Sequence, residues 1–337
     1  MTELRKDPVL GRWVIIATER SRRPSDFTQE ERRPLGGFCP LCEGNEERTP
    51  PEVLAFRDNS NPPNSRGWSL RVVPNKFPAL RIEGDLDREG DGVYDRMNGV
   101  GAHEVVIETP LHHESLATLP LKGVENVLRA YRERVIDLRR DSRFQFVIVF
   151  KNHGVAAGAS LEHPHSQLIA LPIVPKRVAE EIEGARDYFQ YKDRCVFCDV
   201  IRQELQQRKR VISENETFVS IAPFASSFPF ETWILPKSHN PNFALGYVDP
   251  FRGPFPYEGA AQILQDVLRR LDLVLKDPPY NLIIHNSPFP SRDKDCYHWH
   301  IEITPKLTKM AGFEWGTAFF INPTPPEEAA EYMREAR

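Results

Sequence analysis

The chain is poor in cysteine, carries little net charge and has no long apolar run. Five cysteines in 337 residues are too few for a disulfide framework. Four of them fall in two C-x-x-C pairs, a pattern that points to metal binding in a reducing compartment. A formal net charge of −4 provides no basic excess, so nucleic acid is not expected as the main partner. No stretch of about 18 apolar residues occurs, so no membrane span is expected. The opening MTELRKDPVLGRW lacks the apolar core of a secretory signal. These absences lead to the expectation of a cytoplasmic protein. Proline, by contrast, is abundant at thirty residues, and it favours extended segments and loops. With 40% hydrophobic and 27% charged residues, the composition is that of a globular protein long enough for two domains. A loop-rich α+β fold is expected.

The densest chemistry lies between Asn152 and Pro172, NHGVAAGASLEHPHSQLIALP. A turn rich in glycine and alanine leads to His163-Pro164-His165, then to a run that reads as a buried strand. In an extended segment residues i and i+2 share a face, so the two imidazoles project together. Pro164 fixes the backbone and argues against helix, which excludes a helical i, i+4 metal clamp. One ring can serve as ligand or orienter while its neighbour does chemistry. Taken alone, an H-x-H pair also fits two buried structural histidines.

The chain repeats itself. Cys39-Pro-Leu-Cys42 returns as Cys195-Val-Phe-Cys198. Glu104 to His112 returns as Glu231 to His239, with the same spacing. The strand 144–150 returns at Tyr280–His285, and His163-x-His165 returns as His298-x-His300. Helical periodicity over 121–141 (Val124, Val127, Leu128, Tyr131, Val135, Leu138) has its counterpart over 259–276. Further strands are expected at 11–17, at the start of 70–80 and within 103–112, and a closing helix over 324–337. Residues 176–190 turn charged and helical, so a domain boundary is placed at 175, giving units 1–175 and 176–337. Two thiolates at C-x-x-C spacing can share one tetrahedral Zn²⁺ but need two more ligands. A thioredoxin-like redox reading requires a βαβ context that is not evident.

In combination these motifs resemble the galactose-1-phosphate uridylyltransferase family, a branch of the histidine-triad superfamily, over nearly the whole chain. The hallmark of that family, His-Pro-His with Gln two residues on, stands here as His163-Pro164-His165-Ser166-Gln167. The resemblance implies two tandem histidine-triad-like domains, each a mainly antiparallel sheet with packed helices. It implies ping-pong nucleotidyl transfer in which His165 attacks the α-phosphorus of a nucleotide sugar and a sugar 1-phosphate is exchanged. Gln167 and Ser160 would stabilise the transferring group, with Asn152, Gly154 and Ser160 near its phosphate. Arg20 and Arg23, preceding Pro24, match the family's phosphate-side arginines, although a solvated basic face is the alternative. Asn75 and Phe77 fall in the segment that lines base and ribose.

The resemblance also implies a zinc site of Cys39, Cys42, His112 and His163, with His113 as a neighbour easily mistaken for His112. The repeat then places a second zinc at Cys195, Cys198, His239 and His298. A competing family arrangement, one Glu and three His, would use Glu181, His285, His298 and His300, with zinc or iron as its ion. The second half lacks the glycine-rich approach and the Gln, and reads as a structural copy without catalysis. Family members are often dimers, which allows a homodimer. Three departures stand out: Glu162 for a proline, Ser166 for a glycine, and Ile321-Asn322 in the sugar-binding tail. The serine and the tail are compatible with the ADP-glucose phosphorylase branch. The expected activity is therefore galactose-1-phosphate uridylyltransferase. An ADP-glucose phosphorylase of the same fold and a zinc-stapled nucleotide binder without turnover are the alternatives.

Overall fold

The structure, a computed structural model, describes residues 2–20, 22–27, 37–57, 61–245, 255–290 and 293–336, with Arg20 described by its backbone only. Strands β1 (Glu3–Lys6) and β2 (Trp13–Ile16) open the chain. β3 (Leu54–Arg57), β4 (Trp68–Pro74), the exposed hairpin β5 (Glu89–Asp91) and β6 (Tyr94–Arg96), and β7 (Ala102–Ile107) follow. Helix α1 (Leu121–Leu138) leads to β8 (Phe146–His153) and β9 (His165–Leu171). The second half runs α2 (Lys176–Lys192), α3 (Val196–Gln207), β10 (Val211–Glu214), β11 (Phe218–Ile221) and β12 (Thr232–Pro236). It continues through α4 (Tyr257–Leu275), β13 (Tyr280–His285) and β14 (His300–Pro305), then α5 (Gly312–Thr317), β15 (Phe320–Asn322) and α6 (Pro326–Glu335).

The internal repeat is visible in the strand order. Ten strands form one antiparallel sheet in the order β10-β11-β12-β14-β13-β8-β9-β7-β4-β3. Read outward from the middle, β8-β9-β7-β4-β3 and β13-β14-β12-β11-β10 are the same half-sheet twice. The equivalent strands β8 and β13 pair with each other, Phe150 opposite Ile283. The two repeated sheets expected from the sequence are thus one continuous sheet. β15 joins β2 in parallel in a separate three-stranded sheet that ties the chain ends together.

Alternation along the strands makes one face apolar for helices. Val72, Val106, Leu168, Ile234, Ile301 and Ile303 belong to one core with Val124, Val127 and Leu128 of α1 and Val267 and Leu271 of α4. The opposite face carries loops and both C-x-x-C pairs and, over β11 and β12, helices α2 and α3. Helix α1 stops at Leu138, short of 141, because Arg140 and Asp141 donate to carbonyls only three residues back, the tighter turn that closes helices at a polar end. Helix α3 has no counterpart among the sequence expectations. Its Val196, Phe197 and Ile201 pack on Trp233 and Tyr297.

Gly184 in α2 faces the Val9 carbonyl, and a Cβ built there falls far inside contact distance of that oxygen. The carbonyl cannot easily retreat, since Asp7 Oδ1 accepts from the Val9 and Leu10 amides at 2.8 and 2.9 Å. Alanine would gain about 1 kcal/mol of helix propensity, but overpacking against fixed backbone costs about 1–3 kcal/mol. Gly184→Ala is therefore expected to lower the urea midpoint, and a raised midpoint would show that the segment yields.

Candidate active site and metal centres

Residues 165, 167 and 169 of β9 point to the loop face of the sheet, as do 103, 105 and 107 of β7, with Gln167 opposite Val105 in register. In front of them lies a cavity of about 420 Å³, whose wall includes Asn75, Phe77, Ser160, His165 and Gln167. That volume suits a small-molecule ligand. Phe77 is 84% exposed and Phe38 67%, so two aromatic faces stand open at the wall, with Arg48 over the Phe38 ring at 5.5 Å.

His165 is buried except toward this cavity. Its Nδ1 lies 2.8 Å from the His163 carbonyl. A carbonyl only accepts, so Nδ1 carries the proton and Nε2 carries the lone pair. Burial pushes the imidazole pKa below its ordinary value, against the opposing pull of that hydrogen bond, so the ring is neutral and nucleophilic at neutral pH.

Behind the strand lies a polar network that the sequence did not announce. Lys151 Nζ donates to the His165 carbonyl at 3.0 Å and to Glu108 Oε2 at 2.7 Å. Tyr131 of α1 donates to Ser166 Oγ at 2.6 Å. Ser166, one of the noted departures, is thus the partner of a buried phenol.

The metal-type groups form as two matching sets. Cys39, Cys42, His112 and His163 bring their donor atoms within 4.8 Å of one another, as do Cys195, Cys198, His239 and His298. His112 and His163 aim Nδ1 at Cys42 Sγ at 3.2 and 3.5 Å. His163 Nε2 faces the Thr109 carbonyl at 2.8 Å and His298 Nε2 the Pro236 carbonyl at 2.9 Å. Each Nε2–H therefore donates outward and leaves Nδ1 bare for a cation, the usual outer-shell arrangement of ligating histidines. Burial holds His163 neutral, its pKa pushed down to about 4. Both sets fit a tetrahedral metal ion. His113 lies outside the set and packs edge-on against His112. Glu162 Oε2 stands 3.9 Å from His112 Nε2.

The second half repeats the geometry but not the space. His300 Nδ1 donates to the His298 carbonyl at 3.1 Å, as His165 does to His163. Yet Phe197 and Trp233 lie against its ring at centroid distances of 5.0 and 5.2 Å, and only about 10 Å³ remains in front of it. His285 stacks on His300 and lies 2.8 Å from Glu181 and 3.1 Å from Glu302. Burial opposes a charge on His285, but the Glu302 and Glu181 carboxylates outweigh it and push its pKa up to about 10. His298 falls in the cysteine set, apart from the Glu181, His285 and His300 group.

Other expected residues lie off the cavity wall. Asn152 Oδ1 accepts from Asn281 at 2.8 Å, and Asn281 also donates to the Ala157 carbonyl at 2.8 Å. Gly154 opens the short turn 155–157 with φ +79°, where glycine is favoured. Arg23 is exposed beside the chain ends, its amide donating to Asp26. The Arg20 side chain lies outside the described residues. The wall residues Phe38, Arg48, Thr49 and Pro50 carried no sequence signal, because only folding brings the 38–50 loop over β4 and β9.

Two family models match the chain: "Galactose-1-phosphate uridyl transferase, N-terminal domain" over residues 1–175 and the C-terminal domain over 181–316. An ADP-glucose phosphorylase of Arabidopsis thaliana is 38% identical over 99% of this chain and 92% of its own. A galactose-1-phosphate uridylyltransferase of Thermotoga maritima is 31% identical over 99% of this chain and 98% of its own. The crystal structure of an Arabidopsis thaliana ADP-glucose phosphorylase with bound ADP-glucose superposes with a TM-score of 0.80 at 36% identity, covering 100% of this chain and 99% of that one.

The His285 cluster has a pH signature. A folded pKa of about 10 against an ordinary 6.5 means its stabilisation is complete below pH 6.5 and is lost as pH rises through 10. Urea unfolding from pH 6 to 10 should show a declining stability whose slope flattens in His285→Gln. Equal slopes in both proteins would refute a charged His285.

Proposed function

Because the chain belongs to the galactose-1-phosphate uridylyltransferase family, we propose that it transfers a nucleoside monophosphate between a nucleotide sugar and a phosphate-bearing acceptor, through His165. The bare Nε2 of a neutral His165 facing a cavity of ligand size carries this reading. The Nε2 lone pair forms the bond to the α-phosphorus as the bond to the bridging oxygen breaks and sugar 1-phosphate leaves. The ring becomes a nucleotidyl-imidazolium and keeps its Nδ1 proton, whose hydrogen bond to the His163 carbonyl strengthens with the charge. An acceptor phosphate oxygen then takes the nucleotide and the ring returns to neutral. Neither step needs a proton removed from His165. Gln167 and Ser160 are assigned to the charge on the transferring group, and Asn75 and Phe77 to the nucleoside. Asn152 and Gly154 shape the phosphate turn, and Arg20 and Arg23 keep the phosphate-side assignment that the family resemblance implies.

Two structural Zn²⁺ ions, one in each Cys₂His₂ set, would fix the loops that carry His163 and His298. The chain is read as two histidine-triad-like domains, 1–175 and 176–337, the second without turnover. No helix among the described residues is long and apolar enough to cross a membrane; a cytoplasmic location is proposed on the paired cysteines, which suit a reducing compartment. Galactose-1-phosphate uridylyltransferase is the first substrate reading. The second, ADP-glucose phosphorylase, is favoured by the 38% identity to the Arabidopsis enzyme and by the Ser166–Tyr131 contact that accommodates the non-glycine residue.

Incubation with UDP-glucose or ADP-glucose labelled in the α-phosphate should leave an acid-labile label on wild type and none on His165→Ala. The labelling sugar nucleotide identifies the base, and undiminished transfer by His165→Ala would sink the mechanism. Metal analysis should find two zinc per chain, falling to one in Cys195→Ser/Cys198→Ser with the label on His165 retained.

A further inference from the structure

The His103 ring lies against two residues of the cavity wall, Gln167 and Asn75. It sits on β7 and faces the cavity side of the sheet. The Ala79 amide donates to its Nδ1 at 3.1 Å. A backbone N–H only donates, so Nδ1 is bare and the neutral ring carries its proton on Nε2. Nε2 lies 2.8 Å from Gln167 Oε1, which completes the hydrogen bond and fixes which end of the carboxamide faces the ring. The Gln167 amide nitrogen is then the end left for the cavity. The Asn75 amide nitrogen lies 3.1 Å from the same Nε2, while Asn75 Oδ1 accepts from the Phe77 amide at 2.9 Å. An amide donor gains nothing from a ring N–H, so its protons remain available to a ligand oxygen. The backbone reinforces the arrangement, since the Asn75 amide donates to the His103 carbonyl at 2.8 Å.

We propose that His103 is a positioning residue for the transfer: as an Nε2-protonated imidazole it orients Gln167 with its N–H₂ toward the transferring phosphate and holds the 75–79 loop in place. This rests on nucleotidyl transfer at His165. Without His103 the carboxamide of Gln167 can rotate and present its oxygen to a phosphate oxygen, where two acceptors repel. Where the replacement keeps an acceptor for the Ala79 amide, and with it the 75–79 loop, the loss falls on the chemical step more than on binding.

The test separates the two contacts of the ring. Glutamine can place a donor nitrogen where the histidine Nε2 stood, whereas asparagine can replace only the Nδ1 acceptor that holds Ala79. Single-turnover release of sugar 1-phosphate should fall about 100-fold in His103→Asn, the cost of a small misplacement in a reacting site. KM should change by less than about threefold, as expected when only the transition state loses a contact. His103→Gln should recover most of the rate. Gln167→Ala and the His103→Asn/Gln167→Ala double variant should be equally slow, as for residues acting as a unit. Nitrogen-15 spectra of histidine-labelled protein should show His103 protonated at Nε2. A ring protonated at Nδ1, a fully active His103→Asn or multiplicative losses in the double variant would each overturn the proposal. Wild type that never labels at His165 would instead bring down the transfer reaction itself, and this role with it.

Discussion

One hydrogen bond between near neighbours decides what this site can do. His165 Nδ1 donates to the carbonyl of His163 at 2.8 Å, and that contact leaves Nε2 as the ring nitrogen with a bare lone pair. It depends on extended backbone through Pro164, which puts both rings on one face. It depends also on His163 staying where it is, with its own Nε2–H given to the Thr109 carbonyl and its Nδ1 turned to Cys42. The second imidazole is therefore aimed by the first, and the first by a thiol-bearing loop from far earlier in the chain.

The reverse side of the same strand is held by charge. Lys151 and Glu108 are almost wholly inaccessible, with 2% and 0% of their side chains exposed. Such a pair is poor evidence of stability, because desolvation consumes most of the attraction. Its geometry is more informative. The ammonium also takes the His165 carbonyl, so the strand is gripped from behind while its side chains face the cavity. The neighbouring Tyr131–Ser166 bond adds a fixed point from the helix layer. Rigid support of this kind is what lets a reacting atom be placed within a fraction of an ångström.

Much of this was readable from the residues. The shared face of His163 and His165 follows from strand periodicity, whereas the first metal-type set was accessible only through the family resemblance and the second only through the internal repeat. The 121–141 and 259–276 helices were accessible through apolar periodicity. Contacts that join distant residues were not. Nothing in the sequence links Lys151 to Glu108, His103 to Gln167, or Phe38 and Arg48 to the wall opposite β9. The joining of the half-sheets was equally hidden, because strand alternation says which face is buried and not which edge is shared. Helix α3 was obscured because its start coincides with a C-x-x-C motif that reads as a loop.

That shared edge gives the second half a part in shaping the first. Asn281, on β13, reaches across it to Asn152 and to the Ala157 carbonyl. It thereby clamps both ends of the glycine-containing turn that leads to His163. The half whose histidine is walled in by Phe197 and Trp233 thus works as a mould against which its sister's glycine-containing turn is cast.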